Sequence, residues 1–136
     1  MAQLDAVTEY LYRKGKQPQK AFFNNSSIFI GWKVEFTHFE LTYRLNDKEL
    51  IICNFSSTAH SKNKRMATIS FIKFIHELES CCFDFNSIRG LLLASPNPEV
   101  TELRERLAQS LLSQGATWEM INGDNWLVYL LNKNRI

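Results

Sequence analysis

Between Phe39 and Phe55 the hydrophobic period of the chain changes. Phe39, Leu41, Tyr43 and Leu45 alternate with polar residues, the period of a strand with one buried face. Asn46 and Asp47 follow, two residues that tolerate the positive φ of tight hairpins, and they predict a turn. Leu50-Ile51-Ile52-Cys53 then runs apolar without alternation and is rich in β-branched side chains. That pattern predicts a strand covered on both faces, central in its sheet.

Upstream, Leu4, Val7 and Leu11 recur at helical spacing, with Asp5 and Glu9 early and Arg13 and Lys14 late, the charge order that suits a helix dipole. Gly15 and Pro18 end this helix. Residues 16–27 predict a polar connector in which Phe22 and Phe23 are buried anchors. Apolar residues then occupy even positions from Ile28 to Phe36 and odd positions from Phe39, so a bulge or a corner is expected at Thr37 and His38.

Downstream, a polar loop carrying Lys62, Lys64 and Arg65 precedes a helix over 66–80. At helical spacing Ala67, Phe71, Ile72, Phe74, Ile75 and Leu78 span an arc of about 160°, wider than one contact stripe requires. Met66 and Ile69 fall outside that arc, beside Lys73 and His76. Either the helix packs on a sheet and is flanked by another element, or Met66, Ile69, Lys73 and His76 form a partner-binding surface. Ile88 to Ala94 reads as a strand whose Leu91-Leu92-Leu93 run is buried on both sides. Asn97 as N-cap and Pro98 at the first helical position open a helix with Val100, Leu103, Leu107 and Leu111 as its buried stripe, a Glu102–Arg106 pair outside it and Gly115 as its stop. Strands over 116–121 and 125–131 flank an Asn122-Gly123-Asp124 turn, and 132–136 is expected to fray. The order is αβββαβαββ. It predicts an α+β fold in a single domain over 1–136, with a mixed sheet of five to six strands and three helices on its faces. The helical crossover between the two buried runs predicts a parallel pair.

Composition narrows the function classes. At 45% apolar and 12% aromatic residues the chain is too hydrophobic for a disordered regulator. A net charge of +2 provides no electrostatic nucleic-acid surface. Three cysteines without repeated spacing fit reduced thiols in a cytoplasm. Asp5 and Glu9 interrupt any signal-peptide core and no run approaches membrane-spanning length, so neither a cleaved signal nor a membrane anchor is expected. The element order is also that of the restriction-endonuclease-like core, which needs metal-binding carboxylates and a lysine near its middle strands. Cys53-Asn54-Phe55-Ser56 supplies neither. His38 has no ligand or carboxylate at recognisable spacing, and no glycine-rich phosphate loop exists. No catalytic residue, metal site or cofactor site is predicted.

Tyr43-Arg44, Lys48 to Cys53 with Phe55, and Gly115-Ala116-Thr117 with Gly123-Asp124-Asn125-Trp126 resemble the SseE-type proteins, EseE among them, which are encoded among the translocon and chaperone genes of bacterial type III secretion systems. The likeness spans nearly the whole chain, and a more distant one is to the LcrR regulators. It implies a cytoplasmic, non-enzymatic accessory protein, chaperone-like or regulatory, that binds a translocator or effector protein or its chaperone to support secretion. SseE is often labelled a secreted effector, so secretion through the type III system stays open, as do a catalytically silent restriction-endonuclease-like fold and a DNA-binding regulator. Both blocks also have purely structural readings as a central hairpin and a helix stop. Trp126 is read either as an aromatic covering the sheet edge or as an anchor at a protein contact.

Overall fold

In the computed structural model, which describes residues 4–24, 26–58, 64–81, 84–91 and 96–131, Asp5 caps helix α1 (Ala6–Arg13). Its carboxylate accepts from the Thr8 amide at 2.8 Å and from the Thr8 hydroxyl at 3.0 Å, which satisfies one orphan donor of the first turn. Gly15, at φ +84°, reverses the chain, and the Lys16 amide returns to the Leu11 carbonyl at 2.9 Å, the bond that closes a Schellman stop.

The strands that follow are β1 (Gln19–Phe22), β2 (Phe29–Glu35), β3 (Phe39–Asn46) and β4 (Glu49–Ser57). Helix α2 (Lys64–Ser80) crosses to β5 (Ser87–Gly90), and α3 (Pro98–Ser113) leads to the hairpin β6 (Thr117–Ile121) and β7 (Asp124–Leu130). All seven strands form one sheet in the order β1-β2-β3-β4-β5-β7-β6. The expected class and helix number hold, but the sheet has seven strands, not five to six. The additional strand is β1, inside the stretch read as a connector. Its side chains are mostly exposed, and an edge strand wetted on both faces has no apolar alternation to reveal it.

β4 lies in the middle of the order and pairs in parallel with β5, as the helical crossover predicted, while every other pair is antiparallel. The change of period at Thr37 and His38 is a corner between β2 and β3, where the Phe36 amide meets the Phe39 carbonyl at 2.8 Å. The strand predicted over Ile88 to Ala94 ends at Gly90: Leu91 lies beyond it and is half-buried rather than covered on both sides, while 92–95 lie outside the described residues, as do Lys62 and 132–136.

The core occupies one face of the sheet. Leu41, Tyr43, Leu50, Phe55, Ile88, Leu127 and Tyr129 join Val7, Leu11, Phe71, Ile75, Leu78, Leu103 and Leu107 in one buried cluster, so all three helices contribute to the same side. The register places Arg44, Ile51, Arg89, Val128 and Thr117 in one row of the opposite face. Ile51 and Val128 are buried but stand outside that cluster. The architecture is therefore a helical layer on one face rather than helices on both. Within the row, Ile51 is flanked by Arg44 and Arg89, whose long stems can cover apolar neighbours. Cys53 is the odd residue: Thr42 pairs with Asn54 but Tyr43 with Ile52, so Cys53 sits at a bulge and is exposed. The bulge also explains how Ile52 and Phe55, of opposite parity, both meet the helical layer.

Candidate functional site

Four of the five predicted contact residues share one stripe. Met66, Ile69, Lys73 and His76 follow the i, i+3, i+7, i+10 spacing along α2, away from buried Ala67, Phe71, Ile75 and Leu78. Met66 and Lys73 are exposed, and Ile69 and His76 are half-buried. At its C-terminal end the stripe enters the seam with α3. There the His76 Nε2 lies 3.1 Å from the Gln114 Oε1 and 4.0 Å from the Glu79 Oε1. His76 thus already has polar neighbours inside the fold.

Trp126 is elsewhere. It alternates with the core residue Leu127 and so projects with Val128 from the face without helices. The Arg89 guanidinium stacks over its ring at 4.4 Å, and the Arg89 Nε approaches the Glu49 Oε2 at 2.5 Å. Trp126, half-buried, closes over a charged pair and belongs neither to the main core nor to the α2 stripe.

The largest exposed aromatic group among the described residues is one the sequence reading does not predict. Phe22 and Phe23, expected as core anchors, are 44% and 56% exposed, and Ile28 and Phe29 across the hairpin are 61% and 42% exposed. The Phe22 and Phe29 rings meet edge to face at 6.2 Å, and Phe29 meets half-buried Trp32 at 5.9 Å. The hairpin that displays them is held locally. The Phe23 amide donates to the Ile28 carbonyl at 2.8 Å, and the Ser26 amide to the Phe23 carbonyl at 3.0 Å. β2 also has its own requirement: at Gly31, φ +155°, a Cβ would fall 2.3 Å from the Tyr43 carbonyl oxygen, so only glycine permits this approach of β2 to β3. The sequence signal was available as two apolar pairs, Phe22-Phe23 and Ile28-Phe29, bracketing a polar loop. Apolar residues beside a hairpin turn have no opposing layer to reach.

The reactive side chains are tied into structure. The Cys53 sulfur lies 3.6 Å from the Ile30 carbonyl, and partial desolvation raises its thiol above the usual range in spite of the nearby Arg44, which disfavours a thiolate. Glu79 is buried and accepts from the Tyr129 hydroxyl at 2.9 Å. Asp47 occupies the positive-φ position of the β3–β4 turn, and Glu49 is the partner of Arg89. Among the described residues, no three His, Cys, Asp or Glu side chains come together as a metal site. No helix among them is long and apolar enough to cross a membrane. In comparison with known proteins, the chain matches no family model and no curated relative.

Proposed function

We propose that this protein is a non-enzymatic accessory component of a bacterial type III secretion system, chaperone-like or regulatory, which binds a translocator protein or its chaperone. The observation that carries this reading is the aromatic face of the β1–β2 hairpin. Phe22 and Phe29 meet edge to face, Phe29 adjoins Trp32, and Phe23 and Ile28 form the next, likewise exposed pair towards the turn. Contiguous exposed aromatics cost solubility and characterise contact surfaces, where rigid rings deliver large buried area. Recognition would seat an amphipathic segment of the partner against this face by burial of a few apolar anchors. The type III assignment rests on the SseE-like blocks around Tyr43-Arg44 and Gly123-Asp124-Asn125-Trp126. The carboxylates on and between β3 and β4 support a role without catalysis, since Asp47 serves a turn and Glu40 and Glu49 serve ion pairs with Lys33 and Arg89.

The test is co-purification from the bacterium that encodes the protein, with mass spectrometry of what is retained. Wild-type protein is expected to retain a translocator or chaperone of the same secretion operon. Phe23→Asp should lose it while keeping the wild-type circular dichroism and melting curve. Retention of the same proteins by a folded Phe23→Asp variant would remove the hairpin from the interface, and recovery of no secretion protein by the wild type would overturn the assignment.

A further inference from the structure

At the other end of the sheet, β6 ends the strand order and is hydrogen-bonded to β7 alone among the described residues. Four of its five residues are exposed. The β6–β7 connection is a two-residue turn with Asn122 at φ 52° and Gly123 at φ 85°, and Ile121 pairs directly with Asp124. In such a turn the flanking residues form a hydrogen-bonded pair, so Thr117, Glu119 and Ile121 direct their amide and carbonyl groups towards β7. Trp118 and Met120 direct theirs outward. The same two residues are 45% and 69% exposed. Edge strands are ordinarily protected by charged side chains, above all lysine, by proline or by a bulge; Thr117-Trp118-Glu119-Met120-Ile121 has no lysine, proline or bulge, and Glu119 is its single charge.

We propose that β6 is a homodimerisation edge, on which a second copy of this chain adds its own β6 antiparallel about a two-fold axis at Trp118. This inference is independent of the secretion reading and uses a different surface. The choice of a second copy follows from the strand's own complementarity. A two-fold pairing must match outward-facing residues with outward-facing residues, which limits the register to centres at Trp118, Glu119 or Met120. Centring on Glu119 sets two carboxylates directly opposite each other, which is destabilising. Centring on Met120 moves Trp118 opposite the turn residue Asn122. Centring on Trp118 stacks the two indoles on one face and puts each Glu119 opposite a Thr117. These side chains already associate within one chain, the Thr117 hydroxyl lying 3.3 Å from the Glu119 carboxylate. The Trp118 amides and carbonyls pair reciprocally in this register, and each Met120 amide faces the partner's Ala116 carbonyl. The two sheets become one.

Sedimentation of the full chain over a concentration series is expected to show a monomer–dimer equilibrium. Met120→Pro removes an outward amide that the hairpin itself does not use, and it should shift the equilibrium to monomer. Register is tested in a background with Cys53, Cys81 and Cys82 replaced by serine. A mixture of Thr117→Cys and Glu119→Cys chains should form a disulfide between the two variants under mild oxidation, because non-hydrogen-bonded antiparallel neighbours lie within disulfide reach. Neither variant alone should do so. A wild-type chain that stays monomeric, a folded Met120→Pro chain that still dimerises, or absence of the mixed disulfide would each overturn the proposal, as would a monomer that pairs only with a foreign strand. If circular dichroism finds Met120→Pro unfolded, the cysteine pair decides.

Discussion

The hydroxyls of Thr8 and Tyr43 lie 2.7 Å apart in the buried seam between α1 and the sheet. Thr8 is at the same time held by the N-cap Asp5, so the start of the first helix and the middle of the central hairpin share one polar contact. Burial holds the Tyr43 phenol well above its ordinary range, with the Thr8 bond acting in the opposite direction. The folded state therefore favours the neutral phenol, whereas an unfolded tyrosine ionises at about pH 10. Stability from this group is fully present below about pH 10 and is lost as pH rises beyond that value. Denaturant titrations at rising pH should show this decline. Tyr43→Phe should make it shallower and cost about 0.5–1.5 kcal/mol at neutral pH. Some decline will remain, because burial and the contact with Glu77 also raise Tyr10.

Two glycines in the sheet should respond to alanine with opposite signs. Gly31→Ala places a methyl 2.3 Å from the Tyr43 carbonyl oxygen. β2 must move, at a cost of about 2–3 kcal/mol. Gly90 borders a small apolar cavity with Ile52, Phe71, Ile88, Leu107 and Tyr129, and a Cβ there would meet its nearest atom, the Ile52 Cβ, at 3.5 Å. Gly90→Ala should stabilise by about 0.5–1 kcal/mol, by filling space and by restricting the unfolded chain. Thermal melts of both variants check the pair.

Glu79 and Tyr129 join α2 to β7 inside the core. Tyr129→Phe keeps the ring and removes the donor, leaving a buried carboxyl oxygen without that bond. Destabilisation of about 1–3 kcal/mol is expected, measured as a shift of the urea midpoint with unchanged slope. A double-mutant cycle with Glu79→Gln would give the coupling between the two side chains.

On the outer stripe of α2, Ile69→Asp should leave the far-ultraviolet spectrum unchanged and alter stability by no more than about 1 kcal/mol, because the residue is half-buried on the side turned from the core. Equal retention of secretion partners by Ile69→Asp and wild type, with loss in Phe23→Asp, would locate the contact on the β1–β2 hairpin alone. Loss in Ile69→Asp would extend the surface to Met66 and Lys73.

Elements that bury a periodic face were legible from the sequence. α1, α3 and the hairpin β3–β4 each show their apolar stripe as a count of residues, and Gly15, Asn97 and Gly115 mark three of the helix ends, whereas Leu4, read into the first helix, precedes its N-cap Asp5. The parallel β4–β5 pair followed from connectivity, since a helix between two apolar runs leaves a crossover as the short solution. β1 was illegible because edge pairing is a backbone event that leaves little trace in side chains. The number of helical layers was also hidden. An apolar run such as Leu50-Ile51-Ile52 reads as buried on both faces, whether a helix or long neighbours such as Arg44 and Arg89 flank its second face. For the same reason Phe22 and Phe23 looked like core: hydrophobicity reports that a residue avoids water, and an unfilled contact surface has the same composition as an interior.

The parallel junction of β4 with β5 has a consequence for the order in which the molecule assembles. β1 to β4 are joined by successive hairpins, and β6 and β7 by another, so both groups can pair locally soon after collapse. β5 belongs to neither. Its four residues must find Glu49–Ile52 on one side and Leu127–Leu130 on the other, and each closure spans a whole helix. Docking of β5 is therefore the late, entropically expensive step that joins two preformed halves. Substitutions such as Ile88→Val should then act chiefly on the unfolding rate and leave the folding rate almost unchanged, as stopped-flow folding and unfolding kinetics would show.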